Sequence, residues 1–421
     1  MGATTKEAMR SEKERQKRLK ERRQAEEENI EQGAWDGCLN TTRDEKEKPV
    51  YVVPELARVL KPHQIQGVKF MWDNVVESVD RAQSGEGFGC ILSHVMGLGK
   101  TIQAVTLTEA FVHNRVGRCV MIIVPVNTVQ NWVNEFSHKW LTKANRLTIF
   151  DIAKLKTVND RCRCLHRWTA MGGVLIIGFE MFRNLALGKR MRDEEVKEQI
   201  RRYVLEKPDL VIVDEGHRIK NDKSGIGQVV KQLSTKRRVI LTGTPLQNNL
   251  MEYYCMVDFV RPNFLGTRQD FQNRFVNPIK NGQCVDSTTA DKEIMRGRAF
   301  VLADMLKGFV HRKDYSDIAK ELPPKYDYTL FVRLSPVQKM LYKTYISHFC
   351  APAGNATLFK AYHVLSKISA HPDVFLMYEA QKAPAPASHN QQHNQQHNNY
   401  PHNPRHQQQH YHHTHHIQQQ Q

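Results

Sequence analysis

No stretch of the 421 residues comes near the roughly 20 consecutive apolar positions needed to cross a bilayer. The opening residues, MGATTKEAMRSEKERQKRLKERRQ, contain no apolar core of the kind a secretory signal requires. They begin Met-Gly, but Lys6 stands where a myristoylation site needs Ser or Thr. Cysteines are few and scattered, eight in all, and no second pair completes a zinc-finger spacing around Cys162, Cys164 and His166. Those three read as free side chains on a helix or loop. Without an export signal, the thiols read as reduced, in cytosol or nucleus. Acid is in deficit: 61 Lys plus Arg against 44 Asp plus Glu leave a formal charge of +17. That surplus points to a polyanion such as nucleic acid as partner. Hydrophobic residues make up 40% of the chain, enough for a core, which excludes a wholly disordered protein.

Residues 5–29 are nearly all Lys, Arg, Glu and Gln. They read as a solvated single helix or a disordered arm, within a charged segment 1–49. Their basic pairs, Lys17-Arg18 and Arg22-Arg23, suit nuclear import or plain solubility. From residue 50, short apolar runs alternate with amphipathic stretches. FGCILSH (88–94), RCVMIIVP (118–125), RLTIFDI (146–152), GGVLIIGF (172–179), DLVIVDE (209–215) and RRVILTGT (237–244) read as buried strands. They are short, rich in Val and Ile, and bounded by Gly, Pro or charge. Between them, KTIQAVTLTEAFVH puts Ala104, Leu107 and Phe111 on one helical face, and TVQNWVNEFSHKW does the same with Val129, Trp132, Val133 and Phe136. Strands alternating with helices predict a parallel sheet covered on both faces over 50–262. Residues 263–380 read as a mostly helical extension and linker, with YDYTLFVRL (326–334) as one late strand. From 381 the chain is low-complexity and holds ten of its 20 His, from His389 to His416. It cannot bury a core and is expected to be disordered.

Met96-Gly97-Leu98-Gly99-Lys100-Thr101 follows a predicted strand and opens a predicted helix, the context a phosphate loop requires. Glycines let backbone N–H groups turn inward around phosphate oxygens, and the helix N-terminus adds a positive dipole end. Lys100 would reach the β and γ phosphates, and the Thr101 hydroxyl would ligate Mg²⁺. The strict pattern wants Gly where His94 stands. Asp214-Glu215-Gly216-His217 closes another apolar strand, where open α/β sheets bind ligands. One acid there can hold Mg²⁺ and a second can polarise an attacking water. Leu241-Thr242-Gly243-Thr244-Pro245-Leu246-Gln247-Asn248 ends a third strand, and Gln64 upstream would supply an adenine-reading amide.

These four motifs in this order resemble the Swi/Snf family of helicase-like, DNA-translocating ATPases. LKPHQIQGVKFMW, HVMGLGKTIQAV, MIIVPVNTVQNWVNEF, DLVIVDEGHRIKN and LTGTPLQNNLMEYYCMVDFVRP all look like its blocks, over about residues 50–378. His94, and DEGH in place of the commoner DEAH, resemble its ATRX-like subgroup. The resemblance implies an α/β fold, a RecA-like doubly wound parallel sheet (a P-loop NTPase, helicase lobe one) with helical insertions and disordered termini. It implies ATP and Mg²⁺ as cofactors. Gln64 would contact adenine, and Gly97, Leu98, Gly99, Lys100, Thr101 and Ile102 would hold the phosphates. Mg²⁺ would sit on Thr101 and Asp214, and Glu215 would serve the water. His217, Thr242, Thr244 and Gln247 would couple hydrolysis to movement. Pro125, Asn127, Thr128, Gly178 and Phe179 lie in blocks that touch the DNA backbone in such enzymes. Such contacts carry little sequence information. Double-stranded DNA or chromatin, nuclear receptors or transcription factors, and a nuclear location are implied as well, with no membrane.

The family's second lobe brings a Gln-x-x-Gly-Arg-x-x-Arg block, which this sequence lacks. An arginine finger is worth roughly 10³–10⁵ in rate. The expectation is that this chain binds Mg–ATP weakly and hydrolyses it poorly or not at all. Two functions remain open: an ATP-dependent DNA translocase or chromatin remodeller represented by its first lobe, and a one-lobed DNA- or partner-binding fragment that modulates a full-length enzyme. A nucleotide kinase fits less well, having no need of the LTGTPLQNN block.

Overall fold

Short Val- and Ile-rich runs pay no penalty for having both faces dry, and here they pair into a single parallel sheet. In the computed structural model its strands are Cys90–His94 (β1), Cys119–Val124 (β2), Ile149–Asp151 (β3), Gly173–Gly178 (β4), Leu210–Asp214 (β5), Arg238–Thr242 (β6) and Val310–Lys313 (β7). Their spatial order is β3-β4-β2-β5-β6-β1-β7, every pair parallel. Every residue of β1, β2, β4 and β6 is buried. The structure describes all residues except 1, 32–34, 41–46, 80–81, 83–86, 142–146, 190, 220–223, 244–249, 318–322, 350–357 and 383–421, and except the side chains of 18–31, 317, 348–349 and 382. The His/Gln tail, Thr244 and Gln247 therefore lie outside the described residues.

Two compact units divide the chain, Met1–Pro323 and Pro324–Gln421. The sheet belongs to the first. Its longer helices are Ala3–Glu31 (α1), Pro62–Val75 (α2), Lys100–His113 (α3), Val129–Asn134 (α4), Val158–Met171 (α5), Phe179–Ala186 (α6), Glu194–Leu205 (α7), Leu250–Val260 (α8) and Thr289–Leu306 (α9). The second unit holds Pro336–Phe349 (α10), Leu358–Ala370 (α11) and Pro372–Lys382 (α12), packed around Tyr345, Val364 and Ile368. No helix among the described residues is long and apolar enough to cross a membrane.

Three expectations need correction. The strand expected over 326–334 does not form, and Tyr328 and Phe331 are 84% and 94% exposed. An extended segment becomes a strand only by pairing, and residues 326–334 carry no strand assignment. Conversely, Val310–Lys313 is a strand the apolar pattern misses, because at the sheet edge VHRK keeps its residues partly exposed. The N-terminal arm is helical but not simply solvated, since Thr5, Glu12 and Arg15 are buried. Arg15 grips Glu12 bidentately, with Nε donating to Oε2 (3.0 Å) and Nη2 to Oε1 (2.8 Å). It also donates to the carbonyls of Gly308 (3.0 Å) and Asp73 (3.4 Å). Glu12 Oε2 lies 3.4 Å from Arg261 Nη2, and the Arg261 guanidinium is stacked over Phe88 and Phe309.

The phosphate-loop helix α3 is buried on more than one face, enclosing Gln103, Thr106, Thr108 and Glu109 as well as its apolar stripe. The two threonines return their hydroxyls to carbonyls four residues back, at 2.8 and 2.7 Å. Glu109 is less well served: Oε2 has no hydrogen-bond partner, and Oε1 lies 3.7 Å from His113 Nδ1. Burial, reinforced by Glu55, pushes its carboxyl from 4.5 up to about 7. A folded-state pKa above the unfolded value means that stability falls as pH rises between 4.5 and about 7. The ionised form costs on the order of 3 kcal/mol. Glu109→Gln should therefore melt several degrees above the unmodified chain at pH 8 and together with it near pH 4.5. Equal melting temperatures at pH 8 would refute this.

Candidate functional site

The strands β5, β6 and β1 are neighbours in the sheet, so the motifs at their carboxyl ends come together although they are far apart in sequence. Ser93 pairs with Thr242 and Asp214 with Leu241, which levels the three ends. After β1 the chain turns sharply. Gly97 and Gly99 take φ of 90° and 72°, a left-handed region costly for any residue with a Cβ. A Cβ on Gly99 would lie 2.3 Å from Gln64 Nε2, whereas one on Gly97 would meet nothing within 4 Å. The space in front of Gly97 is open, as a phosphate cradle requires.

Lys100 begins α3 and folds back over the loop, its Nζ donating to the carbonyls of His94 (2.9 Å) and Val95 (3.4 Å). Burial lowers its pKa, and Asp214 and Glu215 oppose that, so the ammonium and both carboxylates share one field. Gly243, next to Thr242, also adjoins it: a Cβ there would lie 3.9 Å from Lys100 Nζ. Thr101 is half-buried beside the lysine, while Leu98 and Ile102 face the core and shape the loop by packing.

Asp214 is held on both oxygens. Trp132 Nε1–H on α4 donates to Oδ2 (3.1 Å) and the Glu215 amide donates to Oδ1 (2.9 Å). Burial raises its pKa, Trp132 opposes this, and the Glu215 charge adds to it. A half-buried carboxylate that resists ionisation is what a divalent cation relieves. Glu215 has a left-handed φ of 53°, unusual for a residue with a side chain. Its Oε2 lies 3.1 Å from His217 Nδ1. Together with Lys100, these groups fit Mg²⁺ and a triphosphate: a cation for the phosphates, a braced carboxylate for the metal, and a second carboxylate for a water.

The glycine in DEGH has a steric reason. A Cβ on Gly216 would lie 2.2 Å from Ile240 Cγ2 on β6, inside any tolerable contact. Since Cγ2 is fixed at the branch point, Gly216→Ala should destabilise the fold by about 1–3 kcal/mol. Ile240→Leu, which moves the branch away from Cβ, should recover part of that loss in the double variant. Additive losses in denaturant titrations would exclude the clash.

Gln64 is buried, with Nε2 donating to the Leu98 carbonyl (3.3 Å) and Oε1 accepting from the Lys61 amide (2.9 Å). Its amide is tied to the phosphate loop itself. The Leu98 carbonyl is also approached by His63 Nε2 (3.3 Å) and Gln103 Nε2 (3.2 Å). Beyond β5 the edge continues through β2 and β4, with Val124 paired to Gly178. Pro125 and Phe179 are buried there, Asn127 is exposed, and the Thr128 hydroxyl donates to the Pro125 carbonyl (2.9 Å). A groove of about 520 Å³ opens beside them between Val126, Gly178 and Met181, with Lys156, Arg161 and Lys189 on its walls. Phe179 also carries the Arg218 guanidinium 5.5 Å above its ring.

Sequence reasoning missed His63, Gln103, Trp132 and His311. Trp132 reads as one more apolar position on a helical stripe, and nothing local shows that its N–H reaches a carboxylate 82 residues away.

Comparison with known proteins gives a consistent result. A family model for the SNF2-related domain matches residues 63–412. Transcriptional regulator ATRX of Mus musculus is 43% identical over 350 residues, 79% of this chain and 14% of that protein. Helicase ARIP4 of Mus musculus is 43% identical over 385 residues, 81% of this chain and 26% of that protein. The Drosophila melanogaster ATRX homologue is 42% identical over 388 residues, 88% of this chain and 29% of that protein. The chain thus spans well under half the length of these relatives. Among solved structures, the Sulfolobus solfataricus SWI2/SNF2 ATPase core in complex with dsDNA is 24% identical, covering 75% of this chain and 59% of that chain with a TM-score of 0.44.

Proposed function

The chain belongs to the SNF2-related family, and from that premise we propose that its first unit is the nucleotide-binding lobe of an ATP-dependent, DNA-translocating chromatin remodeller. The observation that carries the reading is the adjacency of β5, β6 and β1, which sets Lys100 in the field of Asp214 and Glu215. Amides of the Gly97–Thr101 turn, Leu98 among them, would cradle the phosphates, with Lys100 neutralising them. Mg²⁺, when bound, supplies charge neutralisation for phosphoryl transfer, and Thr101 and Asp214 would hold it. Trp132, which donates to Asp214 Oδ2, would hold that carboxylate in place for the metal. Glu215, steadied by His217, would orient the attacking water. Gln64, already against the loop, would meet the adenine end. Ile102 backs the loop from the core, while Thr242, Thr244 and Gln247 would report nucleotide state.

Duplex DNA would lie along the β2 and β4 end of the same edge, on Pro125, Asn127, Thr128, Gly178 and Phe179. The basic groove beside these residues and the charge of +17 support this. A nuclear location and transcription factors or nuclear receptors as partners agree with relatives named as transcriptional regulators.

The test is Mg–ATP binding and turnover by the purified chain, with and without duplex DNA. DNA-stimulated turnover supports the motor reading. Mg–ATP and DNA binding without turnover supports a one-lobed binding role. Failure to bind nucleotide would remove both. In a protein that carries a second lobe, Glu215→Gln should keep Mg–ATP affinity and lose turnover by orders of magnitude. Normal turnover there would take the water-activating role from Glu215.

A further inference from the structure

We propose that His311 is a positioning residue for nucleotide, acting through a buried clasp with His94 that fixes the root of the phosphate loop. The proposal rests on the reading of Gly97–Thr101 as that loop.

His94 is the last residue of β1 and is fully buried. Its carbonyl accepts from Lys100 Nζ, so its backbone position sets where the lysine rests. Its ring reaches between β7 and α3. There Nε2 lies 2.8 Å from His311 Nδ1, and Nδ1 lies 3.3 Å from Gln103 Nε2.

The proton positions follow from the partners. Gln103 Nε2 also lies 3.2 Å from the carbonyl oxygens of both Leu98 and Gly99, so its two hydrogens are shared among three acceptors, and the flipped amide would set oxygen against those carbonyls. That nitrogen is a donor, so His94 Nδ1 accepts and His94 Nε2 carries the hydrogen. His94 Nε2–H therefore donates to His311 Nδ1. The relay runs one way, from Gln103 through His94 to His311, whose Nδ1 accepts at the shared bond. Burial, with His311, His63, Lys100 and Lys313 nearby, drives the His94 pKa down to about 2, in agreement with a neutral ring.

Packing closes the clasp. The His311 ring lies 5.0 Å from Phe70 on α2 and 5.0 Å from the His94 ring. A Cβ on Gly67, also on α2, would meet Gln103 Oε1 at 2.0 Å and His94 Cε1 at 3.1 Å. Strand β7 itself is bound to β1, with Ile91 N donating to Phe309 O (2.8 Å) and Val95 N to Lys313 O (3.2 Å). Removing the acceptor on His311 leaves a buried N–H on His94 unpaired, three residues before Gly97. The departure from Gly at position 94 thus has a use: the ring anchors the loop from behind to the edge strand.

His311→Leu should weaken Mg–ATP binding about tenfold, the effect of one lost buried hydrogen bond. His311→Asn, which keeps an acceptor near the place of Nδ1, should restore affinity to within about twofold by the same reasoning. A role in folding alone would not produce that rescue. In the unmodified chain, ring NMR should find a hydrogen on His94 Nε2 that exchanges slowly, and His311→Leu should abolish its protection. Calorimetry of unmodified chain, Lys100→Ala and His311→Leu separates the failures. If the unmodified chain binds and Lys100→Ala does not, but His311→Leu binds as tightly as the unmodified chain, the clasp is overturned and the phosphate loop stands. If the unmodified chain does not bind, both fall.

Discussion

Lys100→Ala is expected to weaken Mg–ATP binding by about 100-fold or more without lowering thermal stability. The binding loss follows from removing charge-assisted bonds to phosphate, each worth roughly 1.5–3 kcal/mol. The preserved stability follows from what Lys100 does when no nucleotide is present. Among the described residues its ammonium donates to the carbonyls of His94 and Val95, and burial lowers its pKa. Truncation relieves that burden. Isothermal calorimetry and a thermal melt on the same preparation check both halves. Undiminished affinity would refute the assignment of the loop, and a collapsed melt would show Lys100 to be structural.

The second large effect is far from the nucleotide. Glu12→Ala should destabilise the first unit by about 3–5 kcal/mol, because it strands Arg15 and Arg261 as two buried cations without a counter-charge. Burial by itself would raise the Glu12 pKa, but hydrogen bonding and charge from Arg15, with charge from Arg261, outweigh it and hold the carboxyl below 4.5. Arg261 is pulled down to about 9 by burial and upward by Glu12, so it stays charged at neutral pH. A depressed carboxyl pKa gives stability that is full above pH 4.5 and lost as pH falls through the folded value. Replacing Glu12, Arg15 and Arg261 together by Met should recover most of the loss, since no charge of this cluster is then left buried. Denaturant titrations of the single and triple variants decide it. A single variant as stable as the unmodified chain would mean that α1 does not dock on this unit.

The sheet, and the placement of the motifs at its strand ends, were legible in the sequence because the same physics writes both. A parallel strand buried on both faces must be a continuous apolar run, and GLGKT, DEGH and LTGT each announce themselves by ending one. Edges and long-range contacts were not legible. VHRK at 310–313 is a strand through its neighbour β1, not through its composition. YDYTLFVRL has the composition and forms no strand. Glu12 and Arg15 look like any solvated i,i+3 pair until Gly308 and Arg261 enclose them. Trp132 and His311 act on Asp214 and His94 across the sheet, and no spacing rule connects them. The glycine of DEGH was visible as a departure, but its cause, Ile240 Cγ2, belongs to another strand.

If the ends of β1 and β5 form one Mg–ATP site, hydrogen exchange of the full chain should slow in 95–103 and 211–217 together when Mg–ATP is added, saturating at the same nucleotide concentration, with no slowing in Lys100→Ala. Protection of one segment without the other, or of neither while nucleotide is bound, would contradict it.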